Sequence, residues 1–245
     1  MNGKLKRQAL KALFSNKSTA VRIFLTYTFE IALLLLSDYF FLDNIIWKLI
    51  FFCLLFILSS GEYNVFMKLA EGKEVSGDDF YLIFSDKEYI SHFKSEGKSR
   101  YYTIVQAAVF LILCRILILL MPDIFIGKGW GRICFCLLLI LISVIVFVIY
   151  LADHIFIPYI IADRYNSKTV DKAASSDEIL ALNKRLVEYD RFKMIRFVLS
   201  FSGWFILSVV TLGAGFIFLL PYFNETAAVL YVEKREEYKK ICERD

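Results

Sequence analysis

Residues 133–150 read ICFCLLLILISVIVFVIY, eighteen consecutive positions without a charged side chain. An α-helix rises about 1.5 Å per residue, so this stretch reaches roughly 27 Å, close to the thickness of the hydrocarbon layer of a bilayer. A strand is not expected, because an open sheet edge cannot satisfy its backbone groups in lipid and the alternating pattern of a membrane barrel is absent. The stretch therefore predicts a membrane-spanning helix.

Five further segments have the same apolar character. The six segments are 21–36, 45–59, 102–120, 133–150, 195–212 and 216–232. They account for a composition that is 58% hydrophobic and for a mean hydropathy of +0.57, values that exclude a freely soluble enzyme, a secreted disulfide scaffold and a disordered chain. Only Gly213, Ala214 and Gly215 separate the last two segments. These two form either a tight hairpin of two spans, which we favour, or one bent re-entrant element.

Most of the 29 Lys and Arg residues lie on one side of these segments. They occupy the N-terminal arm 1–20, the connections 60–100 and 163–194, and the tail 233–245. Cytoplasmic loops carry the excess of positive charge, so both termini are predicted to be cytoplasmic, and six spans is the number consistent with that. The prediction is an all-α, polytopic bundle of six transmembrane helices in the cell membrane, forming a single domain over residues 1–245.

Amphipathic helices are predicted on the cytoplasmic side. In the N-terminal arm, apolar residues form one face of a helix and several lysines lie on the opposite side, which is typical of a helix on the inner leaflet. The apolar face consists of Leu5, Ala9, Leu10, Leu13 and Phe14. A second apolar face, starting after Asp177, consists of Ile179, Leu182, Leu186 and Tyr189. Ser76 with Asp79 resembles a helix-capping box. We expect the helices of the two cytoplasmic connections, 60–100 and 163–194, to pack under the bundle.

Four polar residues stand inside the apolar segments and form the candidate intramembrane polar cluster: Glu30, Arg115, Asn224 and Glu225. A charge in the middle of a bilayer is costly, so such residues normally face the interior of the bundle and pair with one another. Two interpretations remain open. Arg115 forms a structural ion pair with one of the glutamates, or the acids form a relay along a polar pathway.

No catalytic site, metal site or cofactor site is predicted. Asp153 and His154 are neighbours, but adjacent residues on a helix diverge by about 100° and cannot orient each other. The sequence has no phosphate-binding glycine loop and no nucleophile elbow, and its cysteines lie mostly within apolar runs. The net charge of +4 lacks the basic stripe of a nucleic-acid interface. We expect no enzyme activity, no cofactor and no nucleic-acid partner.

The last third of the chain carries three ordered motifs, LSFSGW at 199–204, TLGAG at 211–215 and PY at 221–222. Their positions are Ser200, Phe201, Gly203, Trp204, Thr211, Gly213, Gly215, Pro221 and Tyr222. Together with LAEGK at 69–73 and YIIAD at 159–163, they resemble an uncharacterised bacterial membrane family, domain of unknown function 975. Where that family tends to have Ser and Gly, this chain has Asn183 and Tyr189. The resemblance implies a polytopic plasma-membrane protein of about six helices and implies no activity.

The expected function is that of a non-enzymatic accessory or scaffold component. Its predicted partners are a bilayer with an anionic inner leaflet and a membrane or cytoplasmic protein. The small residues Ser200, Ser202 and Gly203 also permit close approach of a second copy, although the sequence does not determine the oligomeric state. The alternative is a small transporter or lipid-handling permease that uses Glu30, Arg115 and Glu225.

Overall fold

The computed structural model describes residues 2–40, 61–82, 86, 87, 89, 130–167, 176–188, 190–211 and 214–243. All regular structure in these ranges is helical, which confirms the all-α prediction. The helices are α1 (Asn2–Leu13), α2 (Lys17–Phe40), α3 (Glu62–Ala70), a 3-10 helix (Asp78–Tyr81), α4 (Trp130–His154), α5 (Ile157–Ser167), α6 (Ser176–Glu188), α7 (Arg191–Leu199), α8 (Ser202–Val210) and α9 (Phe216–Cys242). The predicted segments 45–59 and 102–120, with Arg115, lie outside the described residues.

Helix α9 is the centre of the described fold. It contacts α1, α2, α3, α6 and α8. Along it, large side chains such as Leu219 and Tyr231 are buried, and the fully buried Ala227 and Ala228 leave room for close approach of neighbouring helices. The helix continues without interruption from the predicted segment 216–232 into the charged tail. The tail is therefore an extension of this helix.

Helix α1 forms as predicted, but its apolar face is buried differently. Leu5, Ala9 and Leu13 recur every four residues and are buried, since α1 packs on α9 and α3. The sequence analysis placed this face on the inner leaflet. That placement is wrong for these three side chains, because the neighbouring helices already cover them. Leu10 and Phe14 remain exposed.

Helix α2 is capped at its N-terminus by Asn16, whose side-chain oxygen accepts hydrogen bonds from the backbone N–H groups of Ser18 (3.0 Å) and Thr19 (3.4 Å). Such a cap satisfies donors that have no partner within the helix. The helix is longer than the predicted segment 21–36. One of its faces, including Ile23 and Tyr27, is buried, and the opposite face is exposed.

Helices α4 and α5 follow each other with a break at Ile155 and Phe156. Pro158 lies in the first turn of α5. Proline has no backbone N–H, and the N–H groups of a first turn have no hydrogen-bond partner within the helix, so proline is tolerated there. Within the described ranges, residues 144–167, which run from α4 into α5, are the one stretch long and apolar enough to cross a bilayer. The predicted six spans are therefore not confirmed by the described residues.

The predicted segment 195–212 is not one continuous helix, contrary to the prediction. Helix α7 ends at Leu199 and α8 begins at Ser202. The hydroxyl of Ser200 donates to the carbonyl of Phe197 (2.6 Å), and the Phe201 side chain turns into the core, where it is fully buried. Hydrophobicity alone predicted the helix, but the local hydrogen bond and the burial of one aromatic ring interrupt it.

Helices α8 and α9 form an antiparallel hairpin, while the favoured interpretation of this hairpin as two membrane spans stays a prediction. Trp204 contacts Tyr222, and Phe205 contacts Phe216, so positions advance along one helix as they recede along the other. At the turn, the backbone N–H of Gly215 donates to the Thr211 hydroxyl (3.0 Å). Helix α8 has nine residues and spans roughly 14 Å, which is about half of a bilayer's hydrocarbon layer.

Candidate functional site

Tyr27 joins three helices through its hydroxyl group. The Asn224 side-chain amide on α9 donates to the Tyr27 oxygen at 2.7 Å. The Tyr27 hydroxyl is also hydrogen-bonded to the carboxylate of Glu62 on α3. Because Tyr27 itself lies on α2 and is buried, its hydroxyl is the point where α2, α3 and α9 meet.

Glu30 lies three residues after Tyr27 and therefore on nearly the same face of α2. Its Oε1 atom is buried and has no hydrogen-bond partner in the described part of the chain, and the same holds for Oε1 of Glu62. Glu62 is only 4% exposed. Burial raises the pKa of the Glu62 carboxyl well above its usual range, and the negative charge of Glu30 raises it further.

A cleft of about 560 Å³ lies between α2 and the 3-10 helix. Glu30 lines this cleft together with Arg22 and Thr26 from α2 and Asp78 from the 3-10 helix. Of the two carboxyl groups Glu30 and Glu62, Glu30 lines the cleft, whereas Glu62 is nearly fully buried.

The predicted polar cluster is brought together only in part. Asn224 and Glu30 belong to one arrangement, since Tyr27 binds Asn224 and precedes Glu30 by one turn. Glu225 is fully buried, and neither of its carboxyl oxygens has a hydrogen-bond partner in the described part of the chain. Adjacent residues on a helix point about 100° apart, so Glu225 does not share the direction of Asn224. Arg115 lies outside the described residues, and the predicted ion pair is therefore not tested.

Sequence reasoning missed two members of this site. Glu62 follows the predicted segment 45–59 and was assigned to a cytoplasmic connection, although its side chain is nearly fully buried. Tyr27 lies within the predicted segment 21–36 and was not singled out. Its spacing of three from Glu30 is the only signal in the sequence that could have marked it.

A second set of polar residues, the Arg235 network, connects α9 with α3 and α5. The Arg235 guanidinium binds Glu71 through Nη2 (2.8 Å) and Asp163 through Nη1. Tyr231 donates its hydroxyl proton to Asp163 at 2.9 Å, and Lys73 binds Glu71 at 2.6 Å. Burial opposes ionisation of Glu71, but the hydrogen bonds from Lys73 and Arg235 hold its pKa below the usual range.

The Arg235 network unites segments that carry the family resemblance. Glu71 belongs to the motif at 69–73 and Asp163 to the motif at 159–163. These motifs are about ninety residues apart in the sequence, yet both bind Arg235. A cavity of about 690 Å³ lies beside this network.

One of the two hydrogen bonds of the predicted capping box of Ser76 with Asp79 is present. The backbone N–H of Ser76 donates to the Asp79 carboxylate at 2.8 Å, and the residue at the N-cap position of the 3-10 helix is Gly77. Asp79 also binds Lys68 at 2.6 Å, and the Phe80 carbonyl lies so close to Gly61 that a Cβ atom there would approach it to 2.5 Å. These contacts hold the 3-10 helix against α3.

Asp153 and His154 are each engaged by other groups. Arg191 binds both carboxylate oxygens of Asp153, at 2.8 and 2.5 Å. His154 stacks on Tyr150, and its Nδ1 atom lies 3.0 Å from the Tyr150 carbonyl. Asn183, one of the departures from the family pattern, donates to the Asp153 carbonyl at 2.7 Å and so ties α6 to α4.

The described motif positions near the C-terminus are mostly packing residues. The Phe201 ring contacts Tyr222 and Phe223, and the Lys6 ammonium lies 4.1 Å from its centroid. Pro221 is buried within α9. Gly203 has open space around it, which is compatible with the predicted close approach of another helix. Gly213 lies outside the described residues.

Comparison with known proteins identifies a family and no function. A family model described as "Protein of unknown function (DUF975)" matches residues 3–237. No curated protein and no solved structure matches the chain.

Proposed function

The chain belongs to this family of unknown function, DUF975, and from that premise we propose that it is an integral protein of the cell membrane that acts as a non-enzymatic accessory or scaffold component. The observation that carries the membrane assignment is the set of exposed large apolar side chains on four helices, which we name the apolar band. These side chains lie on α2, α4, α8 and the start of α9. The members of the band are Val21, Leu25, Phe29, Leu138, Leu141, Ile142, Val144, Ile145, Val146, Ile206, Leu207, Val210 and Phe218.

Soluble monomers rarely expose a large contiguous apolar patch, because its contact with water is unfavourable. In a bilayer the same side chains lie in hydrocarbon. The proposed topology has six spans with both termini cytoplasmic, as the distribution of Lys and Arg favours.

Reporter fusions at positions 40 and 126 test this topology. We expect both positions to face the outside of the cell, because each lies in a short connection opposite the basic segments. A matched fusion at position 74, in a basic connection, is expected to face the cytoplasm. Labelling of positions 40 and 126 from the cytosol would contradict the proposed topology.

The scaffold role is supported by the side of the molecule that carries the ion pairs. There, the Arg235 network ties α3, α5 and α9 together, so the proposed cytoplasmic end forms a fixed surface. Phe192 on α7 is 88% exposed beside Arg191 and Lys193. An aromatic side chain next to basic groups is a frequent feature of contact surfaces.

A photo-reactive amino acid at position 192, in intact membranes, tests the scaffold role. We expect it to crosslink a defined protein partner, whereas the same group at Ile206, within the apolar band, is expected to crosslink lipid. Crosslinks to lipid alone at both positions would argue against a protein partner and for a helix that only contacts the membrane surface.

An enzymatic role receives no support from Asp153 and His154, since Arg191 binds the Asp153 carboxylate and Tyr150 stacks on the His154 imidazole.

The transporter alternative has one supporting observation, the position of Glu30 on a cleft. In a chain whose native cysteines are replaced, Glu30→Cys is expected to react with a membrane-impermeant thiol reagent in opened membranes if the cleft holds water. Glu225→Cys is the buried control. Equal, slow labelling of the two positions would exclude a water-filled route to Glu30.

A further inference from the structure

We propose that Glu30 and Glu62 form a proton-binding site in which two carboxyl groups from different helices hold one proton between them. The site is defined by packing inside the chain, so it goes beyond the membrane assignment and does not depend on it. Glu62, from α3, is its buried member, and Glu30, from α2, is the member that lines the cleft.

Each carboxyl group of the pair has one buried oxygen that lacks a hydrogen-bond donor in the described part of the chain. Tyr27 donates to the Glu62 carboxylate and in turn accepts from Asn224, so this hydroxyl has no further proton to offer. Oε1 of Glu62 and Oε1 of Glu30 are both buried and without a hydrogen-bond partner in the described ranges. A buried acceptor without a donor is rare in folded proteins, and one proton between the two carboxyls supplies that donor.

Among the described residues, the charged and titratable groups around the pair place no cation beside both carboxyls. Helix α3 contributes Tyr63, which interacts with Tyr27, and the 3-10 helix contributes Asp78 to the cleft. Helix α9 contributes the neutral Asn224. The nearest basic residue on α2 is Arg22, which lies eight residues from Glu30, roughly 12 Å along the helix, and whose guanidinium extends toward Gly77.

A proton fits this arrangement better than a metal ion does. Hard cations such as Mg²⁺ and Ca²⁺ take about six or more oxygen ligands, whereas the pair offers two unpartnered oxygens. No group of three or more His, Cys, Asp or Glu side chains suited to a metal occurs in the described part of the chain. The negative charge of Glu30 acts on the buried Glu62 carboxyl, and two carboxyls that interact in this way favour holding one proton over both ionising.

The cleft gives the site its access. Glu30 lines about 560 Å³ of open space between α2 and the 3-10 helix, and we take the proton to exchange on the polar side of this cleft, where Arg22, Thr26 and Asp78 also lie. Loss of the proton leaves the buried Glu62 carboxylate facing the negative charge of Glu30. The folded state therefore binds the proton more tightly than the unfolded chain does, and its stability falls as the pH rises above the value at which an ordinary glutamate ionises.

The test is thermal unfolding of the purified full-length chain in detergent, between about pH 5 and about pH 8. Four proteins are compared: the unmodified chain, Glu62→Gln, Glu30→Gln and the exposed control Glu74→Gln. Glutamine resembles the protonated acid, so we expect both site variants to unfold at a higher temperature than the unmodified chain at the upper end of the range. The advantage should shrink toward the lower end, and the control should follow the unmodified chain throughout.

A second measurement reads the proton directly. The infrared absorption of protonated carboxyl groups at neutral pH is expected to decrease in Glu62→Gln and to be unchanged in Glu74→Gln. If Glu62→Gln does not fold, Glu30→Gln, whose side chain lines the cleft, provides the same two comparisons. Site variants that keep the pH dependence and infrared absorption of the unmodified chain would overturn the proposal. So would an unfolding temperature that responds to sodium at constant pH, because the site would then hold a metal cation.

Discussion

At the scale of single residues, two glycines lie where another segment passes too close for a side chain. A Cβ atom at Gly61 would approach the Phe80 carbonyl to 2.5 Å, and one at Gly215 would approach the Ser208 Cα to 2.7 Å. Both glycines have helical backbone angles, with φ of −65° and −63°, so the requirement is steric and not conformational. Each glycine therefore reports a close contact between segments.

Gly215→Ala is expected to destabilise the chain by about 1–3 kcal/mol, because the new methyl group meets backbone that cannot move aside easily. Gly203→Ala is the control. Nothing lies within 4 Å of a Cβ atom at Gly203, and alanine favours a helix more than glycine does, so this variant should be neutral or stabilised by up to about 1 kcal/mol. Thermal unfolding in detergent compares them, and equal losses in the two variants would show that the hairpin contact is not the cause.

Arg235 is the residue on which the charged network depends. Arg235→Gln would leave Glu71 and Asp163 without their shared partner, and we expect a loss of about 1–3 kcal/mol. Lys239→Gln, an exposed cation on the same helix, should change stability by less than about 0.5 kcal/mol. The free energy of unfolding by denaturant measures both, and a similar small effect for Arg235→Gln would mean that the network contributes little.

At the scale of elements, the course of α9 decides what the other helices can bury. Its apolar segment and charged tail are one helix, so α1 packs against protein where the sequence analysis placed it on lipid. The break at Ser200 and Phe201 follows the same principle. A buried aromatic ring and a side-chain hydrogen bond override a pattern that favours one long helix.

Leucine-to-alanine changes in α1 test its packing. Leu5→Ala and Leu13→Ala remove buried side chains and are expected to cost about 2–5 kcal/mol each. Leu10→Ala removes an exposed side chain and should cost less than about 1 kcal/mol. Unfolding in detergent provides the values. Losses of similar size at the three positions would indicate that α1 does not rest on α9 and α3.

At the scale of the whole molecule, most exposed apolar side chains and most ion pairs occur on different stretches of the chain. The exposed apolar band covers α2, α4, α8 and the start of α9, while ion pairs connect the ends of α3, α5, α7 and α9. Asp190 contributes to the charged side, where it binds Lys193 (2.6 Å) and Lys234. Burial opposes its ionisation, but hydrogen bonds from these lysines lower the pKa of Asp190 below its usual range.

Asp190 and Glu71 stabilise the fold at neutral pH and less so in acid, which is the opposite of the pH response expected of the proposed Glu30–Glu62 site. For Asp190 and Glu71, whose pKa values are lowered by folding, the stabilisation exists above the ordinary carboxyl pKa and is lost as the pH falls through the lowered value. We therefore expect Asp190→Asn to lower the unfolding temperature at neutral pH and to differ less from the unmodified chain in acid. The exposed Asp177→Asn is the control. A pH-independent difference for Asp190→Asn would contradict this assignment.

Sequence alone determined the helical class, the amphipathic character of α1 and α6, one hydrogen bond of the capping box at the 3-10 helix and the reversal of the chain between α8 and α9, because each depends on spacing within a short stretch of chain. Only the tertiary structure decided that Tyr27 and Glu62 join Glu30 and Asn224, and that Glu71 and Asp163 share Arg235. Those contacts connect residues far apart in the sequence. Their formation depends on how the helices pack around α9, and the spacing of residues within a short stretch of sequence does not determine that packing.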